Sequence, residues 1–378
     1  MYDTDVLVIG AGPTGLTLAA SLVARGVSTT VVDQQAAEAN TSRAAVVNAR
    51  TLEVLEQIDV ARRLVKEGVE APLFTIRDRG RTLIPIDFSG LPTEYPYSLM
   101  VPQSTTERLL LERLEELGGS VRRPRTVTAI GQDADGVTAA FENGEVIRAR
   151  YVVGADGIRS IVRQQAGIDF EGSVYDESFV LADVHLSGDA PREEVILYWA
   201  TAGLTVVAPL PNGTYRIVAP VADAPEEPSA EFVQDILDTR VGADKLKVDD
   251  VIWGSRFRVH HRVADTFRNG RLLLAGDAAH VHSPAGGQGM NLGIQDAVAL
   301  ADALVAVLGG APDSLLDDYS ATRRPIAKDV VAMTDRLTRL ATLPRTARPI
   351  RNAVIGLLGR VPSVRLALAR RLSGLVYR

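Results

Sequence analysis

Gly10-Ala11-Gly12-Pro13-Thr14-Gly15 has the G-x-G-x-x-G spacing of a turn that wraps a pyrophosphate. Gly10 permits a tight turn, Gly12 lets phosphate oxygens approach the backbone, and Gly15 lets a helix pack close to the preceding strand. Asp33 follows at the spacing from which a carboxylate accepts hydrogen bonds from an adenosine ribose. The elements that must position these residues are legible on either side. Asp5–Ile9 is an apolar, β-branched run suited to a buried parallel strand, and a helical stretch, Leu16–Arg25, stops at Gly26. A second apolar strand, Thr29–Val32, then ends at Asp33. Free N–H groups and the positive end of the helix dipole would face the phosphates.

A second chemical stretch lies far along the chain. Arg271–Ala275 reads as a buried strand and ends at Gly276-Asp277, a carboxylate suited to a sugar-alcohol chain. The turn Gly286-Gly287-Gln288-Gly289 leads into a long helix whose stripe is Ala297, Ala301, Leu304 and Leu308. Amides of Gly286–Asn291 would reach a ring carbonyl or an oxyanion. No second G-x-G-x-x-G occurs, so a nicotinamide nucleotide would have no Rossmann domain of its own. His280 and His282 have no acid or cysteine beside them and read as turn residues; no metal is expected.

A chain of 378 residues exceeds one compact core and predicts two interlocked domains. Its 46% hydrophobic and 23% charged residues are ordinary for a globular protein, and a net charge of −6 argues against nucleic acid. The absence of cysteine excludes disulfides and thiolate chemistry, so electron transfer needs a bound cofactor. Val6–Ala24 is apolar, but Asp3 and Asp5 stand where a signal peptide is basic, and Gly12-Pro13 interrupts it. A cytoplasmic protein, monomeric or homodimeric and with no membrane as a partner, is expected.

Arg43 lies in a polar loop before a helix at Asn48–Gln57, with Leu52 and Leu55 inward. Short strands fill Leu73–Met100, with a hairpin turn at Asp78-Arg79-Gly80. Ser104–Glu107 reads as a capping box, with Gln103 just ahead of it. Thr126–Ile130, Val137–Phe141 and Glu145–Val153 read as antiparallel strands, the last two joined by Asn143-Gly144. Further strands are expected at Phe179–Leu186, Val195–Trp199, Leu204–Leu210, Tyr215–Val221 and Val251–Val259, with one helix at Ala230–Thr239. The pattern predicts an α/β protein: a discontinuous Rossmann-type FAD-binding domain (1–72, 101–169, 266–335) and an inserted antiparallel-sheet substrate domain (73–100, 170–265). A C-terminal helical segment, 336–378, completes it.

The glycine turn with Asp33, the segment Gly154-Ala155-Asp156-Gly157-Ile158-Arg159-Ser160, and Gly276-Asp277-Ala278-Ala279-His280 with Pro284 and Gly286–Asn291 together resemble the group A flavoprotein monooxygenases. These are the p-hydroxybenzoate hydroxylase-like aromatic hydroxylases, and Tyr319–Pro325 also looks like them. The likeness is strongest to the branch acting on polyketides and halogenated phenols, whose longer members carry a thioredoxin-like C-terminal domain missing here. It implies non-covalent FAD, with Gly10, Gly12, Pro13, Thr14 and Gly15 at the pyrophosphate and Asp33 at the ribose. Arg43 and Gln103 would contact the flavin side, and Gly276 and Asp277 the ribitol. Gly289, Met290 and Asn291 would line the isoalloxazine, while Pro284 and Gly287 flank its oxygen-reacting edge. Asp156 and Arg159 would place both FAD and NADPH or NADH, the transient co-substrate. Oxygen would reach the substrate through a flavin C4a-hydroperoxide; no catalytic base is identified.

In the substrate sheet, Leu197, Trp199, Val206, Ala208 and Leu210 are expected to face the ring, with Tyr215 offering a hydroxyl. Arg216 is the one basic residue close by, so a neutral phenol or polycyclic aromatic is expected over a small benzoate. A halogenase is disfavoured because Trp199 and Trp253 stand alone, without a W-x-W-x-I-P segment. A reductase, or a flavin-free escort protein on the same fold, is the remaining alternative. Segment 336–378 has ten arginines and no acid, with Val361, Val364, Leu368, Leu372, Leu375 and Val376 at helical spacing. It is expected to pack on the acidic body, which explains the arginines without a membrane, rather than to lie on a membrane surface as an amphipathic helix.

Overall fold

The computed structural model describes residues 1–37, 44–222, 224–284 and 286–378, with the side chains of 174–177 and 257–259 outside that description. The parallel sheet is built around Thr4–Ile9, flanked by Thr29–Val32 on one side and Val146–Gly154 on the other. Val121–Arg122 extends one edge, Leu272–Leu274 and Arg268–Asn269 the other. Val6, Leu7 and Val8 are wholly buried because helices cover both faces. Pro13–Val23 is the crossover to the parallel strand Thr29–Val32, and it packs on Gly289–Leu308 and Gln103–Glu116. Gly289–Leu308 is long and apolar enough to cross a bilayer, yet Ile294, Ala297, Ala301 and Leu304 are fully buried: it is a core helix.

The second sheet has eight strands in the order His280–Val281, Leu246–Ala264, Phe170–Gly188, Thr214–Val221, Gly203–Pro209, Glu194–Ala200, Leu73–Asp78 and Arg81–Asp87. Phe170–Gly188 and Leu246–Ala264 pair along 19 residues each, far beyond the expected strands, because the register resumes across irregularities such as that between Val174 and Ser178. Both expected hairpin turns form, with Arg79 and Gly144 at positive φ. Ser98–Met100 instead joins a separate three-stranded sheet with Val46–Val47 and Val69–Ala71.

Two helix starts differ from expectation. Asn48 does not begin a helix but caps one, its side chain accepting from the Thr51 amide at 2.9 Å, and Ala49–Leu55 runs into a 3-10 turn, Glu56–Ile58. The Ser104 capping box is not used: the helix starts at Gln103 without a side-chain cap. Helix Ala61–Glu67 carries no cap signal and was not anticipated.

The last 37 residues follow a long helix, Leu315–Ala341, with Arg348–Leu358, Pro362–Leu372 and a 3-10 turn, Leu375–Tyr377. They lie against the body, as expected: Arg371 and Tyr377 bind the Asp329 carboxylate, Arg378 binds Glu53, and the Arg50 amide donates to the Ser373 carbonyl.

Candidate active site

At the end of Thr4–Ile9 the chain must turn through Gly10, whose φ is +104°. A Cβ there would overlap the Ala155 carbonyl, and one on Gly15 would overlap the Gly10 carbonyl. One on Gly12 would meet no heavy atom within 4 Å, so open space stands over the first turn of Pro13–Val23. Proline begins that helix and removes a donor that the helix would not use. Asp33 shapes the turn by accepting from the Ala11 amide at 2.7 Å and the Gln35 amide at 2.8 Å. A cavity of about 510 Å³ is bounded by Gly10, Gly12, Asp33, Arg123, Asp156 and Arg159. Arg123 was not anticipated; it arrives because Val121–Arg122 pairs beside Thr29–Val32, a topological fact with no local signal. Ser160 caps Ile161–Gln165, accepting from the Arg163 amide at 3.0 Å, while Asp156 accepts from the Ile161 amide at 2.8 Å and its other oxygen has no partner among the described residues. Burial raises the pKa of this carboxyl.

A larger cavity, about 1170 Å³, runs from Gly12, Pro13 and Thr14 past Gln103 and Asp277 to Pro284, Gly287, Gly289 and Met290. Thr14 fixes the first motif to the second: a Cβ on either Gly276 or Gly293 would collide with its hydroxyl. Gln103 accepts from the Ala44 amide at 3.1 Å and donates to Glu107 at 2.8 Å, so it holds the strand edge that leads to Val46. Arg43 falls outside the described residues. The expectation that Asn291 lines the cavity is corrected. It is buried, donates to the carbonyls of Val46 and Gly287 at 2.8 and 2.7 Å, and accepts from the Asn48 amide at 2.8 Å. It braces the Gly286–Gly289 turn from behind.

The two histidines have separate roles. His280 meets the Asp296 carboxylate at 2.5 Å, and Arg323 meets its other oxygen at 2.6 Å, all three buried. Burial works to raise the Asp296 pKa, but Arg323 and His280 outweigh it and the net shift is downward. His282 lies on the cavity wall with Nδ1 donating to the Ser283 carbonyl at 2.9 Å, and burial pushes it down to about 4. Its ring is neutral at pH 7. No group of three or more potential ligands suited to a metal ion occurs among the described residues.

The second sheet, antiparallel as expected except that Leu73–Asp78 runs parallel to Glu194–Ala200, turns one face to this cavity. Register aligns Ile76, Leu197, Val206, Val218 and Leu181 across five strands, and all five line it, as do Trp199 and Ala208. Leu210, with Ala45 and Met100 around it, is buried beyond the end of that face. In the next row Ala208, Arg216 and Asp183 stand side by side. Arg216 is neither turned to solvent nor free: it holds Asp183 through two bonds of 2.7 Å and the Ala44 carbonyl at 2.9 Å. Tyr215 must then face the other way, correcting the expectation that its hydroxyl serves the substrate. It packs with Ile217, Val233 and Leu237 and donates to the Ala190 carbonyl at 2.9 Å. Tyr215→Phe should therefore lower stability by about 0.5–1.5 kcal/mol and leave turnover unchanged; a melting curve and a rate assay check both.

Two further walls escaped the sequence reading. Met333, Leu337, Leu368 and Leu372 of the C-terminal helices add an apolar wall to the cavity, three of them packed in one cluster with Ile76 and Trp199 of the sheet. Arg256, His260 and Arg262, alternating along one strand, line it with the exposed Arg159. Alternating basic residues were visible in the sequence, but not which face they occupy.

Sheet, glycine turn and facing carboxylate define an oxidoreductase that binds a dinucleotide across two sheets. FAD fits: open space over Gly12 suits its pyrophosphate, and one continuous cavity joins that turn to Asp277, the Gly287–Met290 turn and the apolar sheet face. Residues 3–334 match the FAD binding domain family, and the chain belongs to it. The chain is 39% identical over 393 residues to 12-dehydrotetracycline 5-monooxygenase/anhydrotetracycline 6-monooxygenase of Streptomyces rimosus, covering 99% of this chain and 77% of the relative. It is 37% identical over 372 residues to rifampicin monooxygenase of Streptomyces venezuelae, covering 94% and 75%. The solved p-nitrophenol 4-monooxygenase of Pseudomonas putida superposes with a TM-score of 0.86 at 29% identity, covering 98% of both chains.

Proposed function

We propose that this chain is an FAD-dependent, NAD(P)H- and O₂-using monooxygenase that hydroxylates a neutral phenolic or polycyclic aromatic substrate. The observation that carries this is the apolar row Ile76, Leu197, Val206, Val218 and Leu181, with Trp199, standing in one cavity with the Pro284–Met290 turn. FAD supplies the chemistry: reduced by the nicotinamide nucleotide, it delivers one oxygen atom of O₂ to the ring, and the other leaves as water. Gly10, Gly12 and the start of Pro13–Val23 bind the pyrophosphate, Asp33 the ribose and Asp277 the ribitol. Gly287, Gly289 and Met290 hold the ring end. The sheet and the C-terminal helices exclude water from the substrate side. Arg159, Arg256 and Arg262 offer cations to the phosphates of NAD(P)H at the open side of the cavity.

Relatives named for 12-dehydrotetracycline and anhydrotetracycline, rifampicin and p-nitrophenol support an aromatic substrate while spanning a wide range of size. Arg216, the cation in the row next to the apolar one, is already neutralised by Asp183, so a substrate carboxylate gains no free partner in that guanidinium. In a panel of phenols and aromatic acids, polycyclic phenols should stimulate NAD(P)H oxidation and yield hydroxylated product. Efficient hydroxylation of p-hydroxybenzoate-like acids, with no response to polycyclic phenols, would overturn the assignment.

A further inference from the structure

Helix Arg348–Leu358 is mounted with its polar side inward. Arg351 and Asn352 are buried beneath it, both donating to the Trp199 carbonyl, at 3.0 and 2.9 Å, while Asn352 also reaches the Asp78 carboxylate at 2.8 Å. Its outward side carries Ile350, Val354, Leu357 and Leu358, exposed by 70, 51, 65 and 45%. The spacing i, i+4, i+7, i+8 makes these one continuous apolar face. Val361 in the turn and Leu366 on Pro362–Leu372 are exposed as well. Around them, the side chains of Arg345, Arg360, Arg365 and Arg370 make no hydrogen bond or ion pair among the described residues, and no acid occurs in 336–378.

We propose that this face docks the protein on an anionic lipid surface, with the apolar side chains at the headgroup–acyl boundary and the arginines against lipid phosphates. Such a combination is what interfacial helices use: apolar area plus attraction to anionic headgroups. Spanning is excluded by length, since eleven residues rise about 16 Å against roughly 30 Å of hydrocarbon, and the two helices meet at 100°. A second copy on the same face about a two-fold axis would bring two acid-free sets of arginines together, a like-charge juxtaposition. Position gives the docking a use. Leu337, Leu368 and Leu372, on the inner sides of the neighbouring helices, wall the main cavity, so a lipid-dissolved apolar molecule would meet the protein beside its pocket. Docking itself does not depend on the substrate reading.

Flotation of the purified, FAD-loaded full chain tests this. It should float with vesicles mixing phosphatidylcholine and phosphatidylglycerol at physiological salt, and remain behind with phosphatidylcholine alone. Val354→Glu/Leu357→Glu should abolish flotation, and Arg345→Gln/Arg360→Gln should weaken partition by about fivefold per arginine. Flavin content and melting temperature should be unchanged in both, because these side chains are exposed. Wild-type protein that ignores anionic vesicles overturns the proposal, as does a glutamate variant that floats as well as wild type. A wild-type dimer that ignores vesicles and that the glutamate variant dissociates would assign the face to a second copy instead.

Discussion

Gly12→Val is expected to yield a folded protein with little FAD, whereas Gly15→Ala is expected to damage the fold itself. The two glycines differ in what surrounds them. Gly12 has an ordinary φ of −79° and no heavy atom within 4 Å of where a Cβ would project, so a side chain there starts into open space. It meets only what occupies that space, and overpacking of a close contact costs about 1–3 kcal/mol, roughly fivefold to 150-fold in FAD affinity. A Cβ on Gly15 overlaps the carbonyl of Gly10, which is itself pinned at positive φ against Ala155. Backbone must move, and it lies between the central strand and the Pro13–Val23 helix. Melting curves and the flavin-to-protein absorbance ratio separate the two effects. Gly12→Val retaining FAD at wild-type affinity would show that the pyrophosphate lies elsewhere.

The glycine turn was legible because its conformational demands are local: a tight turn, an open face and a close packing each need glycine at a fixed offset. The apolar wall was legible for a related reason, since strand alternation puts Leu197 with Trp199 and Val206 with Ala208 on common faces. Alternation does not say which face looks at the site. Tyr215 and Arg216 are neighbours with opposite fates, and the choice is made by Asp183 on the adjacent strand, 33 residues away. Asn291 failed differently: an amide beside a glycine turn can serve the ligand or brace the loop. Here the Asn48 amide and the Val46 carbonyl, more than 240 residues distant, claim it. The C-terminal helices read only as arginine-rich and amphipathic, because their role as a cavity wall depends on which strand they lie against.

Asp296→Ala is expected to destabilise the protein by about 3–5 kcal/mol, because it removes the shared partner of two buried groups. Arg323 keeps a buried guanidinium with no carboxylate, and His280 loses its Nε2 partner. No pattern in the sequence announces this site, yet it lies under the flavin end of the fold: the Gly276 amide also approaches Asp296, at 3.4 Å, one residue before Asp277. FAD retention should fall along with stability. Asp296→Asn keeps the shape while removing the charge, so it should recover part of the loss. The two variants also predict a pH signature. Arg323 and His280 hold the folded-state pKa of Asp296 below its unfolded value of about 4. The resulting stabilisation is complete above that unfolded value and is lost as pH falls through the lower folded one. Wild-type melting temperature should therefore decline more steeply on acidification below about pH 4 than that of Asp296→Asn, which has no carboxyl to titrate there. An alanine variant as stable as wild type, with the same acid limb, would show that the His280–Asp296–Arg323 cluster does not support the flavin-side turn.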